Sequence, residues 1–303
     1  MKALITGSSG FVGGHLVEHL RSVGDEVCVL DPAVDIRDRQ ALSLACSSFM
    51  EGQVDVIFHL AAMSHVGDSF GSSAEVFKVN VMGSVNLLEV ARAQFPRAKV
   101  VFVSSSEVYG SVRFGDLPVA ESAPLAPLSP YAASKAAAEQ VALQAFRAYG
   151  QQIMIARPFN HIGPGQSENF VVSALARRVL IAKRDGSHSI VVGNLNSRRD
   201  FTDVRDVVKA YRKMAEFGTP GLIYNICSGR SVPISVLADT IVKLSRADVV
   251  LERDLHLVRD IEVTDIFGDY SRCKSDLSWL PQISIEESLK DVLAWWSARL
   301  ELG

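Results

Sequence analysis

The sequence predicts an α/β protein: a doubly wound parallel sheet followed by a smaller, mixed α/β C-terminal lobe. Three observations predict it. Short apolar runs alternate with helix-length segments from Met1 to about Arg157. Those runs are apolar on both faces, as strands covered on both sides must be. The chain also opens on a strand, a glycine-rich turn and a helix, which gather free amide N–H groups and the positive end of a helix dipole at one point.

Taken in order, Ala3-Leu4-Ile5 is too short for anything but a buried strand, and Val12, Leu16 and Leu20 then share one helix face. Between them Gly7, Gly10 and Gly13 stand at Gly-x-x-Gly-x-x-Gly spacing. Gly7, Gly10, Phe11, Val12 and Gly13 are therefore candidates to cradle a pyrophosphate, with a plain tight turn as the alternative. A second strand, 26–30, leads into Asp31, about 20 residues beyond the first glycines, where an acid would bind ribose hydroxyls and repel a 2′-phosphate. That favours NAD(H) and leaves NADP(H) open; the plainer account is a strand-end Asp starting the turn Asp31-Pro32. Asp35 and Ile36 are placed to flank an adenine.

Further strands are expected at 54–60, 99–103 and 153–157, with helices near 12–23, 38–50, 74–94 and 131–149. Ligands of such sheets lie beyond the carboxyl ends of the strands. That singles out Leu60-Ala61-Ala62, Ser104–Glu107 and Phe159–Gln166. After Arg157 the alternation breaks down into a loop at 159–166, a helix at 169–183, a strand at 190–192, a helix at 203–217, a strand at 222–226 and helices at 232–245 and about 284–300. The reading is a dinucleotide-binding domain at 1–158, with about 198–227 added back, and a substrate-binding lobe at 159–197 and 228–303.

With 303 residues the chain can bury a large core, and its net charge of −3 argues against bulk nucleic-acid binding. Cys28, Cys46, Cys227 and Cys273 lie far apart, which suits reduced thiols and implies no structural zinc. There is no signal peptide, and no run approaches the 18 or so apolar residues of a membrane span, so a cytoplasmic protein without membrane contact is expected.

Tyr131 and Lys135 are four apart on an expected helix and so share a face. A lysine ammonium there is expected to lower the tyrosine pKa from about 10, giving a proton donor and acceptor usable near neutrality. The run Ser104-Ser105-Ser106-Glu107, at a strand end, offers a hydroxyl to bridge a substrate oxygen and that phenol. Tyr-x-x-x-Lys also occurs by chance, and a serine-rich turn is the plainer reading of the second run.

Together these stretches, with His59-Leu60-Ala61-Ala62, Asn80, Arg157-Pro158-Phe159-Asn160 and Arg199-Asp200-Phe201, resemble the extended short-chain dehydrogenase/reductase family, the nucleotide-sugar epimerases, dehydratases and reductases on a Rossmann sheet. The resemblance covers nearly the whole length. It implies Ser105 as the substrate-bridging hydroxyl, Tyr131 as acid/base, and Lys135 as its partner bound also to the nicotinamide ribose. The stretches 157–166, 199–206 and 224–229 look most like GDP-4-keto-6-deoxy-D-mannose reductases, which make GDP-D-rhamnose. For such a reductase Ser105, Ser106 and Glu107 would meet the sugar, and Asn160, Arg199 and Arg259 would hold the pyrophosphate of a nucleotide diphosphate sugar. An ion pair of Arg199 with Asp200 or Asp203 is the plainer alternative, and Arg259 departs from the family's usual Arg-Pro-x-Glu. His161 is read as a loop-packing histidine.

Glu107 keeps a second function in view, because the dehydratases of the superfamily use a glutamate here as the base for C5. The alternatives are an NAD-retaining 4-epimerase or 4,6-dehydratase and, of another class, a non-catalytic NAD(H)-binding protein. Proteins of the last kind commonly lose the tyrosine–lysine pair, which is intact here. Ala132, Ala133, Ala136, Ala137, Ala138 and Ala142 permit close helix approach, as in the family's homodimer interface; high helix propensity against the sheet accounts for them equally well.

Overall fold

The computed structural model describes residues 1–49, 53–254 and 264–301. The first half runs β1 (Lys2–Thr6), α1 (Phe11–Ser22), β2 (Glu26–Val29), α2 (Arg39–Ser47), β3 (Val56–His59), α3 (Val66–Ser69), α4 (Ser73–Phe77), a π-helical turn (Lys78–Met82), α5 (Gly83–Gln94), β4 (Lys99–Val103), α6 (Pro130–Tyr149) and β5 (Gln152–Pro158). The second half runs β6 (Asn160–Ile162), α7 (Val171–Asp185), β7 (Ser189–Val192), β8 (Arg198–Arg199), β9 (Phe201–Asp203), α8 (Val204–Phe217), β10 (Ile223–Ile226), β11 (Val232–Pro233), α9 (Ile234–Ser245), β12 (Val250–Arg253), β13 (Asp265–Ile266), α10 (Ser271–Leu277) and α11 (Ile285–Glu301).

Six strands form one parallel sheet in the order β10-β5-β4-β3-β1-β2. The chain turns outward in both directions from its middle, so the carboxyl ends of β1 and β3 border the crevice where such sheets hold ligands. Side chains alternate across the sheet. Leu4, Ile57, Val100 and Ile153 meet α2, α5 and α6, whereas Ala3, Ile5, Phe58, Val101 and Met154 meet α1, α8 and α10. A separate core gathers α7, α9 and α11 around Leu175, Ile190, Leu237 and Leu289.

The segment from 198 divides its elements. β8 and β9 join small sheets, β8 with β11 and β13 and β9 with β6, whereas α8 packs on α1 and β10 completes the large sheet. No helix among the described residues is long and apolar enough to cross a membrane.

Local chemistry explains the elements that matter for the site. α6 starts where the Ser129 hydroxyl accepts the Ala132 N–H at 3.1 Å, with Pro130 in its first turn, and stops at Gly150 with φ near +69°. The helix expected at 74–94 runs without a gap but widens into the π-helical turn between α4 and α5. Asn80 sits in that turn, 2% exposed, with its amide oxygen on the Met63 N–H (2.8 Å) and its amide nitrogen on the Met63 carbonyl (3.0 Å) and the Ser134 hydroxyl (2.9 Å). Drawing a polar side chain inward to tie down the loop after β3 takes one residue more than an α-helical turn allows.

Candidate active site

The turn between β1 and α1 is as tight as backbone can be. A Cβ added to Gly13 would lie 2.1 Å from the Gly7 carbonyl oxygen, and one on Gly7 (φ +73°) 2.7 Å from the Ala61 nitrogen. Gly10 caps α1 without a side-chain hydrogen bond, and no acid stands in the first turn. Amide N–H groups are thus gathered at the positive end of α1, with the loop Leu60-Ala61-Ala62 pressed against them. The donor set and the lack of a Cβ at Gly7, Gly10 and Gly13 suit a pyrophosphate, so these residues fit a dinucleotide.

The loop is held from below. Ser84 gives its one hydroxyl proton to the Asn80 carbonyl (2.6 Å), so the His59 Nε2, 3.0 Å away, carries a proton and donates to it. His59 Nδ1 then accepts from the Thr6 hydroxyl (2.8 Å), whose oxygen in turn accepts the Ala61 N–H (3.2 Å). Burial, helped by the Lys135 charge, drops the His59 pKa to about 3, so the ring is neutral as this network requires.

Asp31 lies exposed two residues past β2, its carboxylate accepting the Ala33 N–H at 2.8 Å. Asp35 is paired with Arg37 at 2.6 Å, and Arg37 also with Glu75. The Ile36 side chain is buried against Gly83. The first of these carboxylates remains at the strand end, whereas the Asp35 and Ile36 side chains are committed to an ion pair and to the core.

Beyond β4, Ser105 is 8% exposed and its hydroxyl oxygen accepts the Glu107 N–H at 3.2 Å. Tyr131, also 8% exposed, stands beside it. Here one expectation is corrected. Lys135 was expected to draw the phenol's pKa down, but burial pushes it up to about 12; the hydrogen-bonded Ser105 opposes that rise and the Glu107 carboxylate adds to it. Lys135 itself, 6% exposed, donates to the Val103 carbonyl at 2.8 Å, and burial lowers its pKa to about 8 against the raising pull of Glu139. Desolvation, which sequence spacing does not express, is the largest cause of the rise, and the lysine charge is not among the causes.

Glu107 also faces a cleft of about 1050 Å³, lined on the far side by α7, by the strand end at Val192 and by Arg199. Asn160 and Arg199 both border it. The Asp200 carboxylate is fully buried and taken up by the Ser228 N–H (2.7 Å), the Ser228 hydroxyl (2.6 Å) and the Gly229 N–H (2.9 Å), while Asp203 pairs with Arg205 at 2.8 Å. His161 stacks on Phe11 (centroids 6.0 Å apart, planes 16°), and His15 Nε2 lies 2.8 Å from the Pro164 carbonyl. The loop 159–166 therefore rests on the glycine turn, and Phe11 serves as its platform. Arg259 lies outside the described residues.

The cleft also takes in His65, Phe170, Arg178 and Asn194, which sequence reasoning passed over. His65 and Phe170 meet edge to face, 6.1 Å between centroids, from elements about a hundred residues apart in the chain; no local spacing signals such a pair. Phe170, immediately ahead of an apolar helix with basic residues, was the one readable hint.

A glycine turn and a serine–tyrosine–lysine group at the carboxyl edge of one parallel sheet, with Glu107 bordering a large cleft, define the class of extended short-chain dehydrogenase/reductases. Within that class the chain belongs to the family described as GDP-mannose 4,6 dehydratase, whose model matches residues 32–292. It is 32% identical to the GDP-6-deoxy-D-mannose reductase of Pseudomonas aeruginosa, over 99% of this chain and 98% of that protein. Among solved structures it is similar to RMD from Pseudomonas aeruginosa complexed with NADPH, with a TM-score of 0.91 and 32% identity, covering 98% of this chain and 99% of the other. The UDP-glucose 4-epimerase of Thermotoga maritima with UDP-glucose matches with a TM-score of 0.89 and 28% identity, over 99% and 100%. The relatives are reductases, dehydratases and epimerases, and the chain is an enzyme of their family.

Proposed function

We propose that this enzyme reduces the C4 ketone of a nucleotide-linked 4-keto-6-deoxy-hexose, with a GDP-sugar as the preferred substrate and NADH as the preferred coenzyme. The observation that carries the reading is the buried group of Ser105, Tyr131 and Lys135 beside Glu107, which borders the cleft. Reduction of a ketone consumes a proton at its oxygen, and a tyrosine phenol beside the carbonyl can supply one. A reduced nicotinamide, when bound, supplies hydride to the carbonyl carbon. Tyr131 donates its proton to the oxygen, Ser105 orients that oxygen by hydrogen bonding, and Lys135 favours the phenolate left behind.

The glycine turn Gly7, Gly10, Phe11, Val12 and Gly13 would hold the coenzyme pyrophosphate, with Leu60, Ala61 and Ala62 beside it. Asp31 would bind the adenosine ribose hydroxyls and repel a 2′-phosphate, which is why NADH is placed ahead of NADPH. Asn160 and Arg199 would hold the sugar nucleotide's diphosphate, for which a planar guanidinium is suited. A cleft of about 1050 Å³ is large enough for a ligand of that size. The resemblance to a GDP-6-deoxy-D-mannose reductase along the full chain supports the choice of sugar nucleotide.

The test is coenzyme consumption with GDP-4-keto-6-deoxy-D-mannose: one NADH should be oxidised per sugar converted. No oxidation above the rate without sugar overturns the proposal. A second reading has one observation in its favour, the Glu107 carboxylate in the cleft, placed as the base of a dehydratase would be. Purified protein that carries NAD and converts a nucleotide sugar without added coenzyme would decide for it.

A further inference from the structure

Glu107, Leu128 and Ser129 mark the part of the cleft nearest the reacting groups. The Glu107 N–H donates to the Ser105 hydroxyl at 3.2 Å, and Leu128 and Ser129 lead directly into α6, where Ser129 caps the helix that carries Tyr131. α3 packs against α6 here. His65, the residue that caps α3, meets Phe170 at the start of α7, with 6.1 Å between ring centroids and 86° between planes. The large side chains on this part of the lining are apolar and uncovered: Phe70 is 56% exposed, Leu128 42% and Phe170 38%. Apolar surface that a chain leaves open inside a cleft is surface for a ligand to cover.

Polar groups beside these side chains are engaged by the protein itself. His65 Nδ1 lies 3.3 Å from the Asp68 nitrogen and 2.9 Å from the Asp68 carboxylate, the Ser129 hydroxyl accepts the Ala132 N–H, and Glu168 pairs with Arg177 at 3.1 Å. Phe170 is fixed by its own backbone, which donates to the Ser167 carbonyl (3.1 Å) and accepts the Ala174 N–H (2.8 Å).

We propose that Phe170, together with His65, Phe70 and Leu128, forms an apolar wall for the C6 methyl group of a 6-deoxy sugar, and that Phe170 is a specificity-determining residue against sugars that keep the C6 hydroxyl. The proposal rests on the sugar-nucleotide reading above. C6 hangs from the ring carbon next to C4, so with the C4 carbonyl at Ser105 and Tyr131 it falls on the surroundings of those residues. A methyl group gains by leaving water for such a wall, whereas a hydroxymethyl group gives up its water there without a partner.

The test compares two ligands that differ only in the oxygen at C6, GDP-D-rhamnose and GDP-D-mannose. Both are alcohols at C4, so neither is reduced, and calorimetry on the protein in excess NADH gives the two affinities. The unaltered protein should bind the 6-deoxy sugar about 10–100-fold more tightly, as one added hydroxyl in an apolar pocket allows. Phe170→Gln, which offers that hydroxyl a partner, should cut the ratio to less than about threefold. Phe170→Leu, which stays apolar, should keep most of it. Equal affinities in the unaltered protein, a ratio unmoved by Phe170→Gln, or the same collapse in Phe170→Leu overturns the proposal, and so does a failure of both sugar nucleotides to bind. If the preference and its collapse appear in protein that never oxidises NADH with the 4-keto sugar, the wall stands and the reductase reading falls.

Discussion

A phenol with a pKa near 12 is a proton donor at every physiological pH, and Tyr131 owes that state to burial and to the Glu107 carboxylate rather than to Lys135. Tyr131→Phe removes the donor while leaving the ring to pack, so kcat should fall by about 10²–10⁴ with NADH affinity nearly unchanged; steady-state kinetics alongside a fluorescence titration check both. Turnover at the original rate would take Tyr131 out of the chemistry. His59 makes a second prediction through its buried network. Its pKa moves from 6.5 in the unfolded chain to about 3 in the folded one, so between those values only the unfolded chain takes up a proton. Stability is therefore full above pH 6.5 and is lost as the pH falls, by up to about 1.4 kcal/mol per pH unit from this group. Urea midpoints measured from pH 7.5 to 5 should fall, and should fall less steeply in His59→Asn. The tight turn at Gly7 and Gly13 and the nearness of Ser105 to Tyr131 could be anticipated because each lies in a short local pattern. The Thr6–His59–Ser84 chain and the Arg157–Glu139 pair were not, because their partners are 18 to 53 residues apart and only the fold brings them together.

Among the elements, α1 shows how much the glycine turn depends on particular positions. Gly13→Ala drives a Cβ into the Gly7 carbonyl, whereas the Cβ of Gly14→Ala meets nothing within 4 Å. The first should weaken NADH binding by more than about tenfold, the factor that 1.4 kcal/mol represents, and lower the melting temperature. The second should stabilise the fold by about 0.4–1 kcal/mol through the unfolded chain's lost freedom. Calorimetry on the two variants gives the comparison, and equal effects would mean that the turn has no special geometry. The strands of the large sheet were legible from their both-face-apolar runs, and α6 from the helix-length segment between two of them. The widened turn between α4 and α5 was not, since the apolar pattern runs on through Asn80 and the reason for the wide turn is the Met63 backbone, 17 residues earlier. β6, β8, β9, β11 and β13 are two or three residues long and take their partners from distant segments, which leaves no periodic trace.

At the scale of the whole molecule, we propose a homodimer through α6. Ala132, Ala138 and Ala142 turn inward and are buried, so the good packing of this helix on the sheet accounts for them, but Ala133 and Ala137 stay half-exposed on the other side. A small-residue face of that kind lets a second copy approach closely. Light scattering at micromolar concentration should give twice the chain mass, and Ala137→Arg should return it to one; a monomer from the start would remove the dimer. The parallel sheet and its two helical layers could be read ahead of the structure, whereas the tie from Asp200 to Ser228 and Gly229 could not, because β9, α8 and β10 lie between these partners and only the fold brings them together. The central claim is that hydride and a Tyr131 proton meet at one sugar carbonyl in the cleft. NADH deuterated at the transferring position of C4, incubated with GDP-4-keto-6-deoxy-D-mannose, should place one deuterium on the sugar's C4 for each NAD formed. A product sugar without that deuterium, or sugar turnover with no NAD formed, would contradict it.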